Sequence, residues 1–155
     1  MSRKNSQNSQ KPQSEFDSAI IDLARVTRVT RGGKQLRFRA CVAVGNKKGK
    51  VGVGVSKGAD VSIAVEKATK AAKKQVVLVP LDQGTIPHQI YVKFGAAKIL
   101  MKPAKQGRGV NAGGTVRILC ELAGIQNIVA KIQGTQNKIN NARAVIKAFT
   151  MFKKL

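Results

Sequence analysis

The stretch Arg31–Gly58, RGGKQLRFRACVAVGNKKGKVGVGVSKG, constrains the fold most tightly. Leu36, Phe38, Ala40, Val42 and Val44 alternate with Arg37, Arg39, Cys41 and Ala43. A period of two is that of a β-strand, with an apolar set on one face and two arginines on the other. Val51, Val53 and Val55 then alternate with Gly52 and Gly54. The valines are expected to extend the apolar face. The glycines leave the opposite face bare, where another backbone or a bulky ligand can approach. The segments are joined by Gly45–Lys50, whose Lys47, Lys48 and Lys50 predict a tip that stays out of any core. The expected product is a β-ribbon with one apolar face and a cationic face and tip, a surface suited to a phosphate backbone.

The flanking segments extend this ribbon. Glu15–Thr30 carries Ile20, Ile21, Leu23, Val26 and Val29, which favour a strand. Its imperfect alternation calls for a bulge or a short helical lead-in at Phe16–Ala19. Arg25, Arg28 and Arg31 are expected to share an RNA-facing surface with Arg37 and Arg39. In Asp60–Gln75, Val61, Ala64, Val65, Ala68, Ala71 and Ala72 mark one helix face, with Asp60 as N-cap. Lys67, Lys70, Lys73 and Lys74 lie on its polar side. Strand, strand, strand, helix makes a first unit over residues 15–79. A unit of about 65 residues is marginal alone and is expected to pack against a neighbour.

Val76–Val79 suits a buried strand, and Pro80–Gly84 reads as a linker. Residues 85–155 form the second unit. Ile90, Val92 and Phe94 alternate, Gly95-Ala96 turns, and Ile99–Met101 returns as a strand. Thr115–Ala123 reads as a helix stopped by Gly124. Ile125–Gly134 reads as a strand with Ile128, Ala130 and Ile132 on one face. Asn137–Phe152 closes with a helix whose face is Ile139, Ala142, Ile146 and Phe149. The fold class is α+β: an N-terminal β-β-β-α unit, then a C-terminal β-β-α-β-α unit. Residues 1–14 are polar and basic, have no large apolar side chain after Met1, and are expected to be a disordered tail. They lack the apolar core of a secretory signal.

The charge names the class of partner. Lys and Arg number 29 against 7 Asp and Glu, a formal net charge of +22. Such a charge opposes compaction unless a polyanion offsets it, and nucleic acid leads. An anionic membrane is the other polyanion, but the chain has neither a basic amphipathic helix with large apolar side chains nor an apolar span of about 18 residues. Aromatics make up only 4%, which argues against stacking of splayed bases and for reading backbone and shape. Cys41, Cys120 and His88 have no metal-ligand spacing, so no metal or cofactor is expected and both cysteines are expected to be reduced core residues. The seven acidic residues are scattered, and no catalytic constellation is expected.

Gly107–Gly114 invites a nucleotide reading, because Gly107-Arg108-Gly109-Val110-Asn111-Ala112 fits G-x-G-x-x-A before a helix. A dinucleotide fingerprint wants an acidic residue about 20 positions on, and Gln126–Lys131 has none. The run also lacks the Lys-Ser/Thr ending of a P-loop. With Lys102, Lys105 and Arg108 nearby, an RNA phosphate at the helix N-terminus is the better expectation.

These stretches together closely resemble the bacterial small-subunit ribosomal protein five family. The matching runs are Arg25–Gly33, Val51–Gly54, Gly84–His88, Lys102–Ala104 and Gly107–Gly114, and they span Glu15–Phe152. The resemblance implies a first domain similar to double-stranded-RNA-binding folds and a β/α second domain. It implies a structural, non-enzymatic role in the small ribosomal subunit, in the bacterial cytoplasm or an organelle. It implies binding of small-subunit rRNA by Arg25, Arg28, Arg31, Gly32, Gly33, Lys34, Arg37, Arg39, Lys47, Lys48, Lys50 and Lys57. Lys105 and Arg108 join this RNA-binding set. It further implies a place lining the mRNA entrance channel and an influence on decoding accuracy. Gly107, Gly109, Val110, Asn111 and Arg117 would face ribosomal protein four, and Asn137–Arg143 would lie near protein eight. Two other readings stay open on the residues alone: a free double-stranded-RNA-binding regulator, and a small nucleotide-using enzyme built on the second unit.

Overall fold

The computed structural model describes residues 15–153; the expected tail at residues 1–14 lies outside them. Strand β1 (Asp17–Thr30) runs antiparallel to β2 (Gly33–Gly45), from Thr30 opposite Gly33 to Asp17 opposite Gly45. The register shifts between Ile20 and Asp22, so the irregularity is a bulge and the strand begins at Asp17 without a helical lead-in. Strand β3 (Lys50–Gly58) pairs with β2 only over Phe38–Gly45. Helix α1 (Val61–Lys74) starts where the Asp60 carboxylate accepts a 2.7 Å hydrogen bond from the Val61 N–H. It buries Ala64, Ala68 and Ala72 against Ala40, Val42 and Val44. The short β4 (Val77–Leu78) pairs with Lys50 and Val51, giving the order β1-β2-β3-β4. It is an edge strand, not the buried one expected, and Leu78 is exposed.

The register of β2 and β3 reverses the expected faces. Val42 stands opposite Gly54 and Ala43 opposite Val53, so the glycines, not the valines, share the face of Val42 and Val44. Helix α1 lies so close there that a Cβ on Gly52 would run into the Ala72 carbonyl, and one on Gly54 into the Ala68 carbonyl. Val51 and Val53 instead join Ile21, Cys41 and Ala43 in a core continuous with the second unit. The face expected to be cationic is therefore apolar at its root and basic only from Arg39 outward. Here the 65-residue unit finds the packing partner its size requires.

In the second unit β5 (Ile90–Phe94) and β6 (Ala97–Pro103) form a hairpin. A two-residue strand, β7 (Val110–Asn111), was not expected from the sequence. It precedes α2 (Gly114–Ala123) and pairs in parallel with β8 (Ile128–Ile132), giving the order β5-β6-β8-β7. Helix α3 (Lys138–Met151) is capped by Asn137, whose Oδ1 accepts from the Ile139 N–H at 3.1 Å. It buries Ala142 and Phe149 as expected. Ala144, Val145 and Ala148 are buried with them, whereas Ile139 and Ile146 are only half-buried. The helix is covered by more than one neighbour, so its apolar stripe is wider than the expected four positions.

The hairpin tip Gly45–Lys50 does not stand free. The Lys47 N–H donates to the Leu122 carbonyl and the Gly49 N–H to the Ala123 carbonyl, each at 2.9 Å. These are terminal carbonyls of α2, which have no partner within the helix. Gly124 stops α2 in the left-handed region at φ +85°, and its N–H returns to Cys120 and Glu121. A Cβ on Gly124 would run into the Lys47 carbonyl, and one on Gly45 into the Leu122 carbonyl. The glycines that read as a loose, solvated tip thus let two backbones touch across the junction of the units.

Candidate nucleic-acid interface

Because β3 reaches only to Phe38, the outer parts of β1 and β2 project beyond the sheet as a two-stranded arm. Arg31 and Gly32 form its turn. Gly33 takes φ +127°, which an L side chain rarely adopts, and the Thr30 hydroxyl donates to its carbonyl at 3.0 Å. A Cβ at Gly32 or Gly33 would meet nothing within 4 Å, so no packing among the described residues accounts for the glycine pair. Arg31 through Arg37 are all exposed.

The arm carries Arg25, Arg28, Arg31, Lys34 and Arg37 without one ion pair to any described residue. These cations do not share a single face. Arg25 stands opposite Phe38, on the α1 side, while Arg28, opposite Gln35, alternates to the side of Arg37 and Arg39. The sequence expectation of one arginine face is corrected to an arm that is basic on both sides. Such an arm suits insertion between two phosphate backbones better than docking on one.

At the root of the arm Arg39 is partly engaged. Its guanidinium lies 3.8 Å from the Asp22 carboxylate, and its buried Nε has no hydrogen-bond partner among the described residues. Lys138 reaches the other Asp22 oxygen at 3.8 Å, which ties the arm to the start of α3. Sequence reading missed Lys138, because nothing local in residues 137–143 indicates that Asp22 lies beside them. Lys57 stands opposite Arg39 and is exposed. Lys47 pairs with Asp17 at 3.0 Å, while the exposed Lys48 and Lys50 have no acidic partner among the described residues.

Lys102, Lys105 and Arg108 gather around a second basic hollow of about 470 Å³ with Pro103, Ala104 and Val129. Gly107 and Gly109 turn the loop at positive φ, and neither meets another atom within 4 Å of a Cβ position. The Gly109 N–H donates to Asn127 Oδ1 at 3.1 Å, and the Arg108 N–H closes a turn on the Lys105 carbonyl. The loop does not open directly onto a helix N-terminus, since β7 stands between it and α2. That removes the geometry of a dinucleotide fingerprint. Arg117 fastens Val110 to α2: its Nη2 donates to the Val110 carbonyl at 3.1 Å, and its Nε lies 3.6 Å from Glu121. Asn111 and Arg117 are exposed beside the loop.

The two cysteines are built into the core. Burial, helped by the Asp22 charge and opposed by Arg143 and Arg39, pushes the Cys41 thiol up to about 11. Burial pushes Cys120 to about 12. The His88 ring lies edge-on to Phe152 with centroids 5.4 Å apart, and its Nδ1 meets the Gln89 carbonyl at 3.0 Å. Among the described residues no three of His, Cys, Asp and Glu group as metal ligands, and no helix is long and apolar enough to cross a membrane.

Two family models match the chain. Residues 16–80 match the N-terminal domain of ribosomal protein S5, and residues 92–155 match its C-terminal domain. The chain is 48% identical over 152 residues to the small ribosomal subunit protein uS5c of Cyanidium caldarium, covering 97% of this chain and 90% of that one. The chain belongs to the ribosomal protein S5 family. It is also 49% identical over 147 residues to the uS5 protein of Acaryochloris marina, covering 94% of this chain and 82% of that one. With the uS5 protein of Campylobacter jejuni it shares 49% over 139 residues, 90% of this chain and 95% of that one. The α+β architecture, with an antiparallel sheet and helix followed by a second sheet with helices, is consistent with the two domains of the family.

Proposed function

We propose that this protein is a structural, non-enzymatic constituent of the small ribosomal subunit that binds small-subunit rRNA through the β1–β2 arm. The arm carries the reading: among the described residues, its five cations have no acidic partner and nothing fills its glycine turn. Arg25, Arg28, Arg31, Lys34 and Arg37 neutralise phosphates, and Gly32 and Gly33 let the RNA backbone approach the turn. Arg39, Lys48, Lys50 and Lys57 extend the basic surface toward the root, and Lys47 contributes after exchanging Asp17 for a phosphate. Lys105 and Arg108 form a second phosphate contact on the other domain.

The second domain holds neighbours. Gly107, Gly109, Val110, Asn111 and Arg117 face ribosomal protein four, and the Asn137–Arg143 end of α3 lies near protein eight. From that position the protein lines the mRNA entrance and supports decoding accuracy, in a bacterial or organellar ribosome.

The test is sedimentation of a cell lysate before and after ribonuclease. The protein is expected to travel with the small subunit and to leave it only when RNA is destroyed or salt is raised well above physiological. Recovery at the top of the gradient in untreated lysate refutes the assignment.

A further inference from the structure

A cleft separate from the basic arm opens elsewhere in the molecule. It has a volume of about 670 Å³ and lies between the units. Val53 and Val55 of β3, Ala71 of α1 and Val76 and Val77 form one wall. Phe94, at the end of β5, and Ile146 of α3 form the other. Three polar side chains complete it: Gln75, Arg143 and Lys147.

Its charge is one-sided. No acidic residue lines it. Arg143 has no ion pair or hydrogen bond to any described residue. Lys147, one helical turn on, spends one N–H on the Lys93 carbonyl at 3.1 Å and keeps two for a ligand. Two cations without an acidic partner among the described residues, beside an apolar slot, call for a ligand with an anionic group and a flat or greasy body. A guanidinium matches the paired oxygens of a phosphate, with the ammonium as a second point charge. The Phe94 ring and the valines accept a planar base, and the Gln75 amide can both donate to and accept from a base edge. The size lies in the range of small-molecule sites.

We propose that this cleft binds a nucleoside 5′-phosphate unit, with the phosphate on Arg143 and Lys147 and the base between Phe94 and the Val53–Val55 wall. The inference is independent of the rRNA-binding arm, since none of the arm residues lines the cleft. Because one wall comes from each unit, an occupant bridges them and favours the docked arrangement.

The experiment titrates the full chain with UMP, GMP and inorganic phosphate at fixed ionic strength by calorimetry, and follows the midpoint of thermal unfolding. A nucleotide is expected to bind with a definite stoichiometry of one, to raise the midpoint, and to bind at least tenfold more tightly than phosphate. Arg143→Gln is expected to weaken it about tenfold, as loss of a charge-assisted pair should. Ile146→Asp, at the partly buried apolar wall, is expected to abolish binding. Lys70→Gln, on the outer side of α1, controls for diffuse attraction to the basic surface and is expected to leave affinity unchanged. Should Ile146→Asp fail to fold, Arg143→Gln and Lys147→Gln carry the test alone.

A short single-stranded oligonucleotide separates two sources of the ligand. Tighter binding of the oligonucleotide, lost in Arg143→Gln, assigns the cleft to a nucleotide of an RNA strand. Affinity equal to that of UMP or GMP assigns it to a free nucleotide. Equal affinity for phosphate and nucleotide, or nucleotide binding unchanged in both Arg143→Gln and Lys147→Gln, overturns the proposal.

Discussion

Replacing Gly124 by Ala should loosen the junction between the two domains while leaving each core intact. Two costs add. Alanine at φ +85° sits in the left-handed region, at roughly 1–2 kcal/mol. Its Cβ also meets the Lys47 carbonyl, so the hairpin must retreat and its two hydrogen bonds to Leu122 and Ala123 weaken, at about 1 kcal/mol each. The sum is roughly 3–4 kcal/mol, or about 6–16 °C in the unfolding midpoint for a chain of this size. Two variants separate the terms. Gly107→Ala takes a similar φ of +88° with nothing within 4 Å, so it should lose only the backbone cost of roughly 1–2 kcal/mol. Gly45→Ala meets the Leu122 carbonyl without a positive φ, so it should lose about 2 kcal/mol through the contact alone. The assay is urea unfolding with shared slopes. If Gly124→Ala is no more destabilising than Gly107→Ala, the junction is not held by this backbone contact.

Three further outcomes are expected. Neutralising Arg28, Arg31 or Lys34 singly should reduce the slope of log K against log salt for rRNA binding by about 1 each, with no change in thermal stability. A loss confined to one RNA sequence would argue against phosphate contacts. Asp22→Asn removes the acidic partner of both Arg39 and Lys138, so it should cost at most about 1 kcal/mol of stability and steepen the salt dependence of RNA binding; circular dichroism and filter binding read the two effects. Above pH 9 the unfolded chain loses its thiol protons while buried Cys41 and Cys120 keep theirs to about 11 and about 12. The native state then binds more protons, so stability should fall with rising pH by about 1.4 kcal/mol per unit per thiol, a slope that Cys120→Ala should roughly halve.

The sequence showed which elements form better than it showed which faces meet. Asp60 and Gly124 mark helix ends by local chemistry, and both hold in the structure. The faces of β2 and β3 were another matter. Cys41–Val44 is an unbroken apolar run, and a run without polar punctuation does not fix which residue of β3 stands opposite. Only the register, Ala43 with Val53, shows that the glycines serve α1. The tip misled for a related reason: Gly45-Asn46-Lys47-Lys48-Gly49 has the composition of a solvated loop, yet its backbone caps a helix more than 70 residues away. Strand β7 has two residues and depends on its pairing with β8, so no periodicity announces it. The projecting arm was misplaced: the basic ribbon was expected over Arg31–Gly58 with its tip at Gly45–Lys50, whereas the free turn is Arg31–Gly32 between β1 and β2. The separation of Arg25 from Arg28 needed only the period of two.

The central claim is that the β1–β2 arm delivers the RNA-binding charge. The most direct measurement is the salt dependence of small-subunit rRNA binding by the intact chain and by a variant with Arg25, Arg28, Arg31, Lys34 and Arg37 all changed to Gln. A variant with the wild-type unfolding midpoint and a slope shallower by about 3–5 is the predicted result. A folded variant that keeps the wild-type slope and affinity would contradict the account and move the interface to the root lysines or the second domain.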